Sequence, residues 1–172
     1  MSRKHKALAV MGMVGMLSGV GLVFAADVLN PQFTPEKGTY EKPEGKLGEK
    51  TDHPWSVTTV AASVDGKPLT GKVTTLVGEI VDYSCYLQVG KHGAKHRDCG
   101  QKCLKNGQPI GLLTSDGKLY LLMEEEHDPR RDGQTNFRQA AIDHMAYIME
   151  VTGTLTETQG QRALYVSGFV KK

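Results

Sequence analysis

The chain has 172 residues, with 21 Lys+Arg against 19 Asp+Glu and a formal net charge of +2. Hydrophobic residues make up 39% and charged residues 23%, the proportions of a globular protein of one domain plus extensions. Collagen-like, coiled-coil and wholly disordered chains are excluded by that balance.

Arg3, Lys4, His5 and Lys6 form a short basic start, and residues 7–26 then run without a charge. Val23-Phe24-Ala25 precedes Ala26 and supplies a cleavage site. Basic, apolar and small in that order is the secretory signal pattern, so residues 1–25 are expected to be a signal peptide cut after Ala25. The alternative is an uncleaved membrane anchor, because 20 uncharged residues can span a bilayer. Gly12, Gly15, Gly19 and Gly21 dilute that stretch. The expected location is periplasmic or secreted, or membrane-anchored if the signal stays. Removing residues 1–25 takes away Arg3, Lys4 and Lys6 and no acidic residue, leaving 18 basic against 19 acidic residues, a net of −1. That mature charge lacks the basic footprint of a nucleic-acid binder, so no nucleic-acid partner is expected.

Residues 26–54 contain Pro31, Pro35, Pro43 and Pro54 among evenly spread Lys and Glu, and are expected to form an extended, flexible tether. The folded domain is expected over residues 55–172, starting near Trp55. Asp65-Gly66-Lys67-Pro68 signals a turn. A long strand is predicted from Lys72 to Tyr83, with Val73, Thr75, Val77 and Glu79 on one face and Thr74, Leu76, Gly78 and Ile80 on the other. Gly78 marks a bulge or sharp coil in its middle. Pro109–Thr114 and Lys118–Met123 flank Ser115-Asp116-Gly117 and predict a hairpin. Phe137, Ala140, Ala141 and His144 recur at helical spacing, which predicts a helix over 134–144. Strands are predicted over 147–156 and 163–170, around the turn Thr158-Gln159-Gly160-Gln161.

A long coiled first strand, an insertion, a hairpin, a helix and two closing strands form an order similar to the OB-fold, a five-stranded Greek-key barrel. The resemblance covers residues 70–170. The fold expected is therefore mainly β: an OB-like barrel with a Cys/His-bearing helical insertion after the first strand and a helix between strands three and four. That resemblance implies no particular chemistry, because the fold hosts many functions.

The insertion carries every cysteine of the chain, Cys85, Cys99 and Cys103, with His92 and His96. A helix is predicted over 94–105, stopped by Asn106-Gly107. On it His96, Cys99 and Cys103 fall at i, i+3 and i+7 and share a stripe. Cys85, at the end of the preceding strand, can be brought over them. Three sulfurs and an imidazole make a tetrahedral zinc set, and soft thiolates also suit copper(I). The metal site expected is Cys85, His96, Cys99 and Cys103, holding zinc or copper. His92 is an alternative or outer ligand, and Asp82 a hydrogen-bond partner for a ligating histidine.

Two other readings use the same atoms. An odd number of cysteines in an exported chain also suits one structural disulfide with a leftover thiol, inside a binding or adaptor module. A thiol redox protein is the third, and needs a cysteine of low pKa with solvent access. The Cys-x-x-x-Cys spacing of Cys99 and Cys103 is similar to that of Sco-type copper-handling exported proteins, a resemblance that points to copper. It does not extend to the thioredoxin fold of that group. Glu124-Glu125-Glu126-His127-Asp128 reads as a solvated acidic loop, Met145 and Met149 as core fillers, and His144 as a helix-end residue. No hydrolase, metalloprotease or phosphate-loop motif occurs, so a non-enzymatic role is expected. The partners expected are a metal ion and another exported or membrane protein.

Overall fold

The structure, a computed structural model, describes residues 33–125 and 135–169. The signal segment and residues 126–128 of the acidic run lie outside the described residues. Strand β1 (Gly45–Leu47), helix α1 (Val57–Ala62), β2 (Lys72–Asp82), α2 (Tyr83–Val89), α3 (Arg97–Lys105), β3 (Ile110–Thr114), β4 (Leu119–Glu124), α4 (Asn136–Asp143), β5 (Ile148–Thr158) and β6 (Gln161–Val166) follow in chain order.

Five of the strands close on themselves. The sheet runs β1-β5-β2-β3-β4-β6, and β5 also pairs with β6. The circuit β2-β3-β4-β6-β5 is the closed barrel expected, with β4 and β6 parallel and its other neighbours antiparallel. β2 is long enough to belong to both halves. Its residues 72–79 pair with β5, and 78–82 pair with β3. Gly78 sits where the two pairings overlap. A Cβ there would lie 2.7 Å from the Leu113 carbonyl oxygen and 2.8 Å from Leu112 Cγ, so only glycine lets the strand coil at that point.

Ile80, Ile110, Leu112, Leu122, Met149, Val151, Leu164 and Val166 fill the interior. Leu104 from α3 and Phe137, Ala141 and Ile142 from α4 join the same core. Each fully buried side chain of this kind contributes about 1.5–3 kcal/mol. β2 is buried continuously from Gly78 to Asp82, because the barrel interior covers one face and the insertion covers the other. The second face places Glu79 and Val81 at 0% exposure.

Residues 33–54 differ from the free tether suggested by their composition. β1 lies parallel to β5, with Gly45, Lys46 and Leu47 opposite Met149, Glu150 and Val151. Leu47 is buried, and the Glu36 amide donates to the Ala146 carbonyl. One buried side chain plus main-chain pairing to a sheet edge is enough to seat this polar segment. Residues 57–62 form a short helix in which Ser56 is the N-cap. Its start is tied down by Glu125, which accepts from the Ser56 amide at 2.9 Å and the Thr59 hydroxyl at 2.8 Å.

Candidate metal centre

Asp82 ends β2 and begins α2. It is the N-cap, and its Oδ1 accepts the Cys85 amide at 3.0 Å. Asp-x-x-Cys is the spacing that such a cap needs, since an N-cap side chain satisfies the amide three residues on. The cap therefore holds Cys85 over the carboxylate. Gly90, left-handed at φ 67°, ends α2 and turns the chain back.

Glu79 then anchors the returning loop. Its carboxylate accepts the Gly93 amide at 2.6 Å and pairs with His92 Nδ1 at 2.9 Å. The Phe33 ring lies 5.1 Å from the His92 ring, and the Ala94 amide donates to the Thr34 carbonyl at 2.7 Å. A 3₁₀ turn over Ala94–His96 follows and drops His96 into the interior at 6% exposure.

Helix α3 is clamped to α4 on its far side. Arg97 donates to the Met145 and Asp143 carbonyls at 2.6 and 3.1 Å, and Gln101 donates to the Ile142 carbonyl at 2.8 Å. Arg138 answers from α4 by donating to the Leu104 and Gln108 carbonyls. These side chains tie the end of each helix, and the loop just beyond it, to the other helix. Gly100 faces Met145 so closely that a Cβ would lie 2.1 Å from the methionine methyl.

One ligand atom from each of Asp82, Cys85 and His96 lies within 4.8 Å of the others. Asp82 Oδ2 and His96 Nε2 are buried without a hydrogen-bond partner. Two such atoms side by side are uncommon, because leaving one costs about 1–3 kcal/mol. Cys103 reaches the same cluster. Burial pushes its thiol up to about 12, with the Asp82 carboxylate and the Cys85 thiol adding to the effect. Burial and Asp82 also raise Cys85. Burial lowers His96, against the pull of Asp82. With no cation present, the cluster favours neutral thiols and a neutral imidazole. A bound cation reverses that for the thiols, which ligate as thiolates.

The structure thus brings Cys85 and His96 together, with Cys103 beside them. Asp82, expected as a partner of a ligating histidine, stands among the ligand atoms themselves. Cys99, expected as a ligand with them, is exposed and is not in the group whose ligand atoms lie within 4.8 Å of one another. His92 is committed to Glu79. All three cysteines are free thiols, so the bridged arrangement is not formed. Cys99 instead borders a cleft of about 400 Å³ lined by Phe33, Lys91, His92, Lys95 and His96. Elsewhere, Met145 and Met149 are core residues, and His144 Nδ1 lies 2.7 Å from the Ala140 carbonyl at the end of α4.

No protein family, curated protein or solved structure matches this chain.

Proposed function

We propose that this is an exported, non-enzymatic metal-binding protein. It holds one zinc ion through Asp82, Cys85 and His96, with Cys103 as the fourth ligand. The observation that carries the reading is the pair of buried, unpartnered atoms, Asp82 Oδ2 and His96 Nε2, on side chains that meet at a thiol. A cation satisfies both at once. A carboxylate in the set favours zinc over copper(I), which prefers soft sulfur ligands throughout. Export rests on the basic, apolar and small-residue order of the first 26 residues. Metal ligation also gives free thiols a way to persist in an oxidising compartment.

The test is metal stoichiometry. Protein purified without oxygen, stripped with a chelator and dialysed against zinc(II) or copper(I) is expected to retain one equivalent of zinc. Cys85→Ser and His96→Gln are each expected to lose it. Retention below about a tenth of an equivalent in the parent protein overturns the reading, given the tight affinities of thiolate sites. Retention of copper(I) in preference to zinc overturns the choice of metal.

A further inference from the structure

Cys99 is the thiol that the buried cluster leaves over. It stands on α3 three residues after His96 and four before Cys103, one helical turn from each. It is exposed, and the cleft beside it reaches the cluster through one shared side chain. That side chain is His96, which lines the cleft and also stands with Asp82 and Cys85. It is 94% buried by virtue of its 6% exposure, and its Nε2 has no partner.

The charge of the walls says what can enter. Phe33 and Val89 are apolar, Lys91 and Lys95 are cationic, and no carboxylate is among the lining residues. Two ammonium groups disfavour a bare cation and attract an anion. A metal ion arriving as the complex of a small polycarboxylate meets favourable charge and finds a thiol at hand.

Resting on the metal reading above, we infer that this cleft is a loading port that receives the ion as a small anionic carboxylate chelate, with Cys99 as the first protein ligand. One bond between the ion and a carrier carboxylate breaks as the bond to Cys99 Sγ forms. The thiol proton leaves to the released carboxylate or to water. The remaining bonds to the carrier and the bond to Cys99 break as the ion binds Cys103, Cys85, His96 and Asp82. The Cys103 and Cys85 thiols each release a proton, one to the displaced Cys99 thiolate and one to the freed carrier carboxylate or to water. No electrons are transferred.

The experiment uses the metal-free full chain and follows thiolate–cobalt absorption in a stopped-flow instrument. Cobalt(II) is supplied either as its citrate complex or as the aquo ion. Cys99→Ser is expected to load from citrate about tenfold more slowly, equivalent to ~1.4 kcal/mol on the barrier, and to reach the same final occupancy. The double variant Lys91→Gln/Lys95→Gln is expected to slow loading from citrate on the order of tenfold and not to slow the aquo ion. Circular dichroism matching the parent establishes that each variant is folded. Loading of Cys99→Ser at the parent rate overturns the port. So does a lowered final occupancy, which makes Cys99 an equilibrium ligand, and so does an unchanged citrate rate in the lysine variant. A parent protein that takes cobalt from neither source overturns the metal reading itself, and the port with it.

Discussion

Asp82 caps α2 and faces the candidate metal position, and two substitutions separate those roles. Asp82→Asn keeps an oxygen able to accept the Cys85 amide, and asparagine caps helices as well as aspartate. It removes the buried charge whose Oδ2 lacks a partner, a feature that costs about 1–3 kcal/mol. Metal-free Asp82→Asn is therefore expected to be no less stable than the parent. Asp82→Ala also loses the cap and should lie about 1 kcal/mol below Asp82→Asn. Zinc reverses the order. At a free concentration about a hundredfold above Kd, zinc stabilises the parent by about 2.7 kcal/mol. A variant about a hundredfold weaker gains only about 0.4 kcal/mol at that concentration, by the same relation. The difference of about 2.3 kcal/mol corresponds to roughly 5–15 °C in melting temperature. Scanning calorimetry of the three proteins with and without zinc reads both effects. Zinc raising Asp82→Asn as far as the parent would show that the carboxylate is not a ligand.

Glu79→Gln leaves the His92 and Gly93 donors around a neutral, weaker acceptor in a fully buried position. A loss of about 2–3 kcal/mol in urea unfolding is expected, and a loss under about 0.5 kcal/mol would show that Glu79 does not anchor the loop. Iodoacetamide should modify Cys99 ahead of Cys85 and Cys103 in metal-free protein. The thiolate is the reactive form, and the Cys103 thiol is held up to about 12. Raising the pH from about 8 to 10 should accelerate Cys103 throughout, because more thiolate forms as its pKa is approached; peptide mass spectrometry at equal rates for all three sites would contradict this. Arg97→Met removes the hydrogen bonds to the Met145 and Asp143 carbonyls and the guanidinium 4.6 Å from the Tyr147 ring centroid, at an expected cost of about 2–3 kcal/mol in the same unfolding assay.

The barrel was legible because its punctuation is local. Gly78, the Ser115-Asp116-Gly117 turn and the helical spacing of Phe137, Ala140 and Ala141 each mark an element without reference to the rest of the chain. β1 was not legible, since its three residues expose Lys46, bury Leu47 and depend on β5 for their pairing. Helix α2 was hidden by a strand reading that ran through to Tyr83. The signals that could have found it are the Asp82 cap and Gly90 seven residues beyond Tyr83. Glu79 was assigned to a strand face with no hint that the insertion would cover that face. The exposure of Cys99 goes with a difference in local structure. A continuous helix over 94–105 puts His96, Cys99 and Cys103 on one stripe. Instead α3 begins only at Arg97, and His96 closes a separate 3₁₀ turn over Ala94–His96, so it does not belong to the helix whose stripe carries Cys99 and Cys103. His96 then faces Asp82 and Cys85, and Cys99 is left outside.

Whether the metal builds this site or visits it follows from what else holds the insertion. In a structural zinc site the ligands are the main fixings of a loop, and removing the ion unfolds it. Here the Glu79 carboxylate, the Thr34 carbonyl, the Asp82 cap and the Arg97, Gln101 and Arg138 hydrogen bonds fix the insertion at both ends and along α3. Leu104 is at 0% exposure in the barrel core. None of these contacts passes through a metal. Chelator-treated protein is therefore expected to keep its far-ultraviolet circular dichroism and its cooperative transition, with only the melting temperature lowered by the lost binding energy. Amide hydrogen exchange should show protection retained at Cys85, Gly93 and Ala94 after metal removal. Collapse of that protection on chelation would make the ion a structural staple and remove the basis for reversible loading. Retention leaves a preformed pocket whose buried carboxylate and imidazole stay in place between one ion and the next.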